Sequence, residues 1–257
     1  MTLNIIGSGN VATVLAKLAV SKGHQINNVY SRNISQAVAL ANAVQSKAVS
    51  SINKITNAAI TIIAVNDGAI PEIIESLPVL HTLLVHTAGS VSIHAFKNST
   101  ESYGILYPLQ SLRKEMQHMP EIPFLIDGNT AETINVLQEF AASLSPVVAV
   151  INDEERRKLH VAATISSNFT NYLYTIAEAF CIAENIDFSL LHPLIKETAE
   201  RLQYASPKNL QTGPAARGDN KTIQAHLALL EAHPQIKNIY TLLNNALTDS
   251  KKTNNDQ

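Results

Sequence analysis

Six residues near the start of the chain, Gly7-Ser8-Gly9-Asn10-Val11-Ala12, have the spacing of a loop that holds a diphosphate. In such a loop the first glycine permits a tight turn, the second lets the backbone approach the anion, and the third small residue lets helix and strand pack closely. The N–H groups at the start of the following helix then point at the phosphates. The bare pattern also arises as an accidental glycine turn, so its context decides. Here it follows an apolar run at residues 3–6 and precedes Val11, Val14, Leu15, Leu18 and Ala19 at helical spacing. Gly7, Ser8, Gly9, Asn10 and Val11 are therefore the expected dinucleotide contacts.

Which dinucleotide is decided at the end of the second strand, where an acidic residue would bind the ribose hydroxyls. That place reads Tyr30-Ser31-Arg32-Asn33, with a hydroxyl, a guanidinium and an amide and no acid. Ser31 and Arg32 suit a 2′-phosphate, so the expected cofactor is NADP(H), although Arg32 as a solvated surface charge is the plain alternative. In open α/β sheets ligands sit off the carboxyl ends of the strands. Three further exits are thereby marked: Val65-Asn66-Asp67-Gly68, His86-Thr87-Ala88-Gly89-Ser90 and Tyr107-Pro108-Leu109-Gln110. Val65, Asn66 and Thr87 join the expected cofactor contacts, with ordinary strand-to-helix turns capped by Asp67 and Ser90 as the competing account.

Substrate chemistry is best placed on the long helical stretch after residue 152. On its wheel His160, Thr164, Ser167, Asn168 and Asn171 share one side, opposite Val161, Ala162, Ile165, Phe169 and Leu173. A solvated polar stripe usually carries Lys and Glu, whereas this one carries a histidine, hydroxyls and amides, which suit a partly desolvated cleft. His160 and Asn168 are the catalytic candidates, with Thr164 and Asn171 as substrate contacts; a purely structural histidine is the alternative. Thr212-Gly213-Pro214-Ala215-Ala216-Arg217-Gly218-Asp219 is a turn-rich segment in which Arg217 either clamps a substrate anion or binds a carbonyl while Asp219 caps the next helix. No His, Cys or carboxylate set has metal-ligand spacing, so no metal is expected.

These residues need elements to hold them. Strands are expected at residues 3–6, 25–30, 59–65, 82–86, 104–107, 123–126 and 147–150, with helices after the glycine loop, from Ser35 to about Gln45, at 70–77 and at 131–144. That alternation implies a parallel sheet with helical crossovers. From residue 153 the pattern is helical only, with 154–186 read as one uninterrupted helix. The fold class is α/β, a Rossmann doubly wound, mainly parallel sheet followed by an all-helical C-terminal domain. The expected domains are 1–152 for NADP, 153–248 for substrate and dimerisation, and a frayed polar tail at 249–257.

The 257 residues are 46% hydrophobic, enough for a sizeable core. Nineteen Lys and Arg against 21 Asp and Glu give no basic field, so neither a nucleic acid nor a membrane surface is an expected partner. The one cysteine, Cys181, permits no internal disulfide and fits a reducing cytoplasm. With no basic leader and no bilayer-length apolar run, the chain is expected to be neither exported nor inserted.

On the glycine loop, Tyr30-Ser31-Arg32, the segments at His86 and Tyr107, His160 with Asn168, and above all Thr212-Gly213-Pro214 through Arg217-Gly218-Asp219, the chain resembles a bacterial family over essentially its whole length. That family joins a Rossmann-like NADP oxidoreductase domain to a C-terminal domain of unknown function, DUF2520. More distantly it is similar to pyrroline-5-carboxylate reductase, ketopantoate reductase and the 6-phosphogluconate dehydrogenase group. The distant resemblance implies hydride transfer to a C=O or C=N bond, a helical domain that closes the substrate cleft, and a homodimer. The hydroxyacid dehydrogenases of that group place a catalytic lysine on the first long helix; here Lys158 lies early and His160 stands near the corresponding place. The expected activity is hydride exchange with a small polar metabolite bound between the two domains, with His160 as proton donor and Asn168 and Arg217 orienting the substrate. A non-catalytic NADP(H) sensor or interaction module is the rival reading, and a deazaflavin in place of the organic substrate is a third.

Overall fold

The computed structural model describes residues 1–97, 99–116 and 118–255, the last five as backbone only. These residues form two compact units, Met1–Ser167 and Asn168–Gln257. The first is built on an eight-stranded sheet: β1 (Thr2–Ile6), β2 (Gln25–Tyr30), β3 (Lys47–Val49), β4 (Ile60–Ile63), β5 (Leu83–His86), β6 (Tyr103–Pro108), β7 (Phe124–Gly128) and β8 (Val148–Val150). Their order is β3-β2-β1-β4-β5-β6-β7-β8. All neighbours run parallel except β6 and β7, so the sheet is mainly, not wholly, parallel. The helices are α1 (Asn10–Ser21), α2 (Ile34–Ala43), α3 (Ile70–Ser76), α4 (Ala131–Leu144) and α5 (Asp153–Ala163).

Side-chain alternation along the strands divides the core in two. Leu3 and Ile5 of β1 and Ile60 and Ile62 of β4 pack with Val14 and Leu15 of α1, Leu40 of α2 and Leu137 and Phe140 of α4. Ile6 and Ile63 turn to the other face, against Ile70, Ile73 and Ile74 of α3. Strands buried on both faces read as continuous apolar runs, and that is why they were visible in the sequence. The expected strands all form, with ends shifted by a residue or two. Strand β3 was missed because three residues at a sheet edge carry no periodic signal. Helix α2 begins at Ile34, capped by the Asn33 side chain, which accepts from the Gln36 N–H; Ser35 lies inside the helix.

The expected single helix over 154–186 is interrupted. After α5 comes a π-helical segment, Thr164–Phe169, and then α6 (Thr170–Ala183). The Thr164 hydroxyl donates to the His160 carbonyl at 3.0 Å at the start of this segment, a change of helix type that hydrophobic periodicity does not reveal. The second unit continues with α7 (His192–Glu200), α8 (Pro207–Leu210), α9 (Pro214–Arg217), α10 (Asn220–Leu229) and α11 (Pro234–Asn255). Asp219 caps α10, accepting from the Thr222 N–H at 3.1 Å. Helix α11 runs through most of the segment expected as a tail; residues 256–257 lie outside the described ones. Among the described residues no helix is long and apolar enough to cross a membrane.

His86, at the end of β5, is fully buried and stacked on Phe96. Its Nδ1 accepts the Ala88 N–H at 3.2 Å, so the ring proton sits on Nε2, facing the Ser92 carbonyl. Burial pushes its pKa down to about 4 against 6.5 when unfolded. The native ring therefore refuses a proton that the unfolded chain takes up below pH 6.5, and His86 makes the fold less stable as pH falls from 6.5 to 4. Urea unfolding at pH 7 and pH 4.5 is expected to show a smaller loss in His86→Gln than in the wild type. Equal losses would mean that His86 titrates normally in the folded protein.

Candidate functional site

The sheet order reverses between β1, whose chain leads outward to β2 and β3, and β4, which leads the other way. A crevice opens at the carboxyl ends of two such strands. Gly7 leaves β1 with φ +129°, and its N–H donates to the Tyr30 carbonyl at 2.7 Å. A Cβ there would lie 2.1 Å from the Ala64 carbonyl oxygen, so only glycine fits. Gly9 is the N-cap of α1, no side chain caps the helix, and nothing lies within 4 Å of where its Cβ would be. An uncapped helix start beside open space is what a diphosphate requires, so the loop fits that group.

Around the loop the Ser8 hydroxyl donates to Ser31 Oγ at 2.8 Å and lies 3.0 Å from Gln36 Oε1. Arg32 is exposed beside them and makes no ion pair among the described residues. Asn10 accepts from the Lys114 N–H at 3.2 Å. These groups line a cleft of about 620 Å3 that continues past Asn66, Asp67 and Thr87 to Gly89, Tyr107 and His160. Across its middle the Ser90 hydroxyl donates to the Asp67 carboxylate, so Ser90 ties two strand exits together instead of capping a helix.

At the far end, His160 Nδ1 and the Tyr107 hydroxyl are hydrogen bonded at 2.8 Å, with the rings edge to face. Burial raises the Tyr107 pKa, so the phenol keeps its proton. Donation by the phenol to Nδ1 would put the ring proton on Nε2, which has no other partner among the described residues. The ring lies against Gly89: a Cβ on that residue would sit 2.7 Å from Nδ1 and 2.9 Å from Cγ. One turn before His160, Arg156 is buried and paired with Asp153 at 2.7 Å. Its Nε also donates to the Gly89 carbonyl at 3.3 Å and its Nη2 to that of Val91.

This dinucleotide-type cleft agrees with the comparisons. Residues 2–88 match a family model described as NADP oxidoreductase, coenzyme F420-dependent, and residues 122–247 match the domain of unknown function DUF2520. BF3122 from Bacteroides fragilis, described as a putative NADP oxidoreductase, is 34% identical over 96% of this chain and 98% of its own, with a TM-score of 0.88. The chain belongs to this oxidoreductase–DUF2520 family. It is thereby a Rossmann-type, pyridine-nucleotide-dependent oxidoreductase by family. Protein TM1727 from Thermotoga maritima shares the fold at 23% identity, covering 97% of this chain and 99% of that one, with a TM-score of 0.72. So does 1-pyrroline-5-carboxylate reductase from Streptococcus pyogenes, at 12% identity over 97% and 98%, with a TM-score of 0.64. No curated protein matches the chain.

Of the residues singled out in the sequence, the cleft of the first unit brings together Gly7, Ser8, Gly9, Asn10, Val11, Ser31, Arg32, Val65, Asn66, Thr87 and His160. Thr164 spends its hydroxyl on the His160 carbonyl, and Ser167 is bonded to Ser111 at 2.8 Å. Asn168, Asn171 and Arg217 belong to the second unit and are exposed. Lys158 faces solvent, paired with Glu154 at 2.5 Å, and does not line the cleft. The opposite side of the stripe, including Val161, Ile165, Phe169 and Leu173, is also exposed in this chain. Sequence reasoning missed Gln36, the role of Tyr107 as partner of His160, and Arg156. Arg156 stands four residues before His160 on the same side of the helix, a spacing that by itself does not mark it as buried.

The ring of His160 and the missing side chain of Gly89 are one fitted contact. Gly89→Ala is expected to cost about 1–3 kcal/mol by overpacking. The same change in a His160→Gly background is expected to cost clearly less. Urea unfolding of the four chains tests this, and equal costs in both backgrounds would show that the ring is not what Gly89 accommodates.

Proposed function

We propose that this protein is an NADP(H)-dependent oxidoreductase acting on a C=O or C=N bond of a small polar metabolite, with His160 as the proton donor. The observation that carries the reading is the cleft of the first unit, which has a diphosphate-type loop at one end and, at the other, a histidine whose Nδ1 is bonded to a half-buried tyrosine. A bound nicotinamide would supply or accept the hydride. The chain's own groups do the rest. The first turn of α1 binds phosphate oxygens, Ser31 and Arg32 bind the 2′-phosphate, and Val65, Asn66 and Thr87 contact the cofactor beyond it. Tyr107 fixes the tautomer of His160, which then presents an Nε2 proton to the substrate. Thr164, Asn168, Asn171 and Arg217 are the candidate substrate-orienting groups, Asn168 with a catalytic part.

His160 in the cleft favours an enzyme over a sensor module. The cleft's described lining has Arg32 as its one arginine or lysine, and the Arg156 guanidinium near His160 is buried and paired with Asp153, which gives little support to an anionic deazaflavin there. We also propose a cytoplasmic homodimer. The second unit supports it with exposed apolar side chains, Tyr172, Leu173, Ile182, Leu229, Leu242 and Leu243, around an apolar groove of about 460 Å3. Sedimentation is expected to give a dimer for the wild type and a monomer for a Leu173→Asp, Leu243→Asp double variant; a wild-type monomer at micromolar concentration would refute it.

Calorimetric titration with NADPH and NADH tests the cofactor. A hydrogen bond to a charged group contributes about 1.5–3 kcal/mol, so NADPH is expected to bind roughly ten- to hundredfold more tightly, with that preference lost in Arg32→Ala. Absence of binding by either nucleotide would remove the oxidoreductase reading. NADPH oxidation across a panel of small ketones and imines is expected to fall roughly a hundred- to ten-thousandfold in His160→Ala while NADPH affinity holds. Undiminished turnover would remove His160 as the donor.

A further inference from the structure

Arg156 is the most deeply buried charge among the described residues, and it stands one turn before His160 on α5. Its Nε–H donates to the Gly89 carbonyl and its Nη2 to the Val91 carbonyl and to Asp153 Oδ1. Asp153 in turn accepts from the Ser92 hydroxyl and, at 3.2 Å, from the Ile93 N–H. One ion pair therefore fastens four residues of the segment after β5, namely Gly89, Val91, Ser92 and Ile93, to the first turns of α5.

Two further facts give this clamp a direction. Arg156 and His160 are four residues apart on α5, so they lie on one face of the helix, one turn from each other. Gly89, whose carbonyl Arg156 holds, is also the residue against which the His160 ring rests. Gly89 and Tyr107 meet the ring together at Nδ1: the Cβ position of Gly89 lies 2.7 Å from Nδ1 and 3.1 Å from Tyr107 Cζ, and the Tyr107 hydroxyl is bonded to Nδ1. A buried arginine is costly to keep, and Nη1 here has no hydrogen-bond partner among the described residues. Apolar side chains would join helix to loop without that cost, but they would not fix the carbonyl of Gly89 in direction. A planar guanidinium does so, because its donors are set in a rigid fork.

We propose that Arg156 and Asp153 are a positioning pair for His160, setting where its ring lies against Gly89 and Tyr107 and hence which ring nitrogen carries the proton. The meaning of this for turnover rests on the proton-donor reading above, whereas the positioning itself is measured without substrate. A pair that merely holds the fold together would change unfolding and leave the ring's tautomer alone.

The test is long-range 1H–15N correlation on the full chain labelled with 15N-histidine, the His160 signals being assigned by their loss in His160→Gln. In the wild type His160 is expected in the single Nε2–H form. Arg156→Met is expected to give averaged signals of the two tautomers, as Tyr107→Phe should, and Arg156→Lys to recover the Nε2–H form in part. NADPH affinity in Arg156→Met is expected to stay within about twofold, since the glycine loop is not touched. A folded Arg156→Met with His160 still in the single Nε2–H form overturns the proposal. Should that variant fail to fold, Asp153→Asn replaces it: it keeps the arginine and the side chain's shape, averaged tautomers support the pairing, and a single Nε2–H form overturns it. The two readings fail separately. Full turnover in His160→Ala removes the donor role and leaves the tautomer result standing, while an unchanged tautomer in Arg156→Met removes the positioning role and leaves the donor role intact.

Discussion

Where the chain leaves β1, Gly7 comes so close to the Ala64 carbonyl at the end of β4 that no side chain can stand between them. Its N–H is bound to the Tyr30 carbonyl at the end of β2. Three strand ends are thereby locked at one point, and that point is the place where the sheet order reverses. The direction of α1, the exposure of its first N–H groups and the nearness of Ser8 to Ser31 all follow. A shift of the loop by the width of one methyl group would disturb each of them together, because the helix and strand behind it are packed at core density.

The two ends of the cleft are made by different means. The loop end is made of backbone, since phosphate oxygens are bound well by N–H groups and a helix start, and the requirement there is closeness rather than orientation. The His160 end is made of side chains, which can hold one ring nitrogen in one direction. A hydrogen bond from a phenol kept neutral by burial, a glycine that leaves room for the ring, and a buried cation that fixes the glycine's carbonyl supply that orientation.

This division explains what could be read in the sequence. The glycine loop is local, and its six residues sit where strand and helix patterns meet, so the loop was legible without tertiary information. The buried strands were legible as apolar runs, whereas β3, three residues at an edge, was not. His160 stood out because its stripe lacked lysine and glutamate. Its partners did not, because Tyr107 is 53 residues away and the Gly89 carbonyl lies 67 residues from Arg156. Arg156 and Arg157 are indistinguishable in a Glu-Glu-Arg-Arg-Lys run, yet one is fully buried and the other exposed. Only the packing of α5 on the segment after β5 separates them. The π-helical segment escaped notice for a related reason: a change of helix type at Thr164 leaves no mark on hydrophobic period.

Lys158 and His160, both on α5, differ in how firmly they are held. Lys158 is solvated and paired with Glu154, and a flexible ammonium on a four-carbon stem has no fixed direction. A ring held by Nδ1 has one. With Tyr107 and Gly89 against it at Nδ1, the imidazole presents Nε2 along a line that the backbone determines, and the fixed charge that holds that backbone sits out of water, on Arg156. The cleft surface at His160 is lined by Tyr107 and Gly89, while the arginines stand apart from it, Arg156 buried and Arg32 at the opposite end. The exposed arginine of the cleft lining thus stands at the loop end, while the His160 end offers hydrogen-bonding groups and shape.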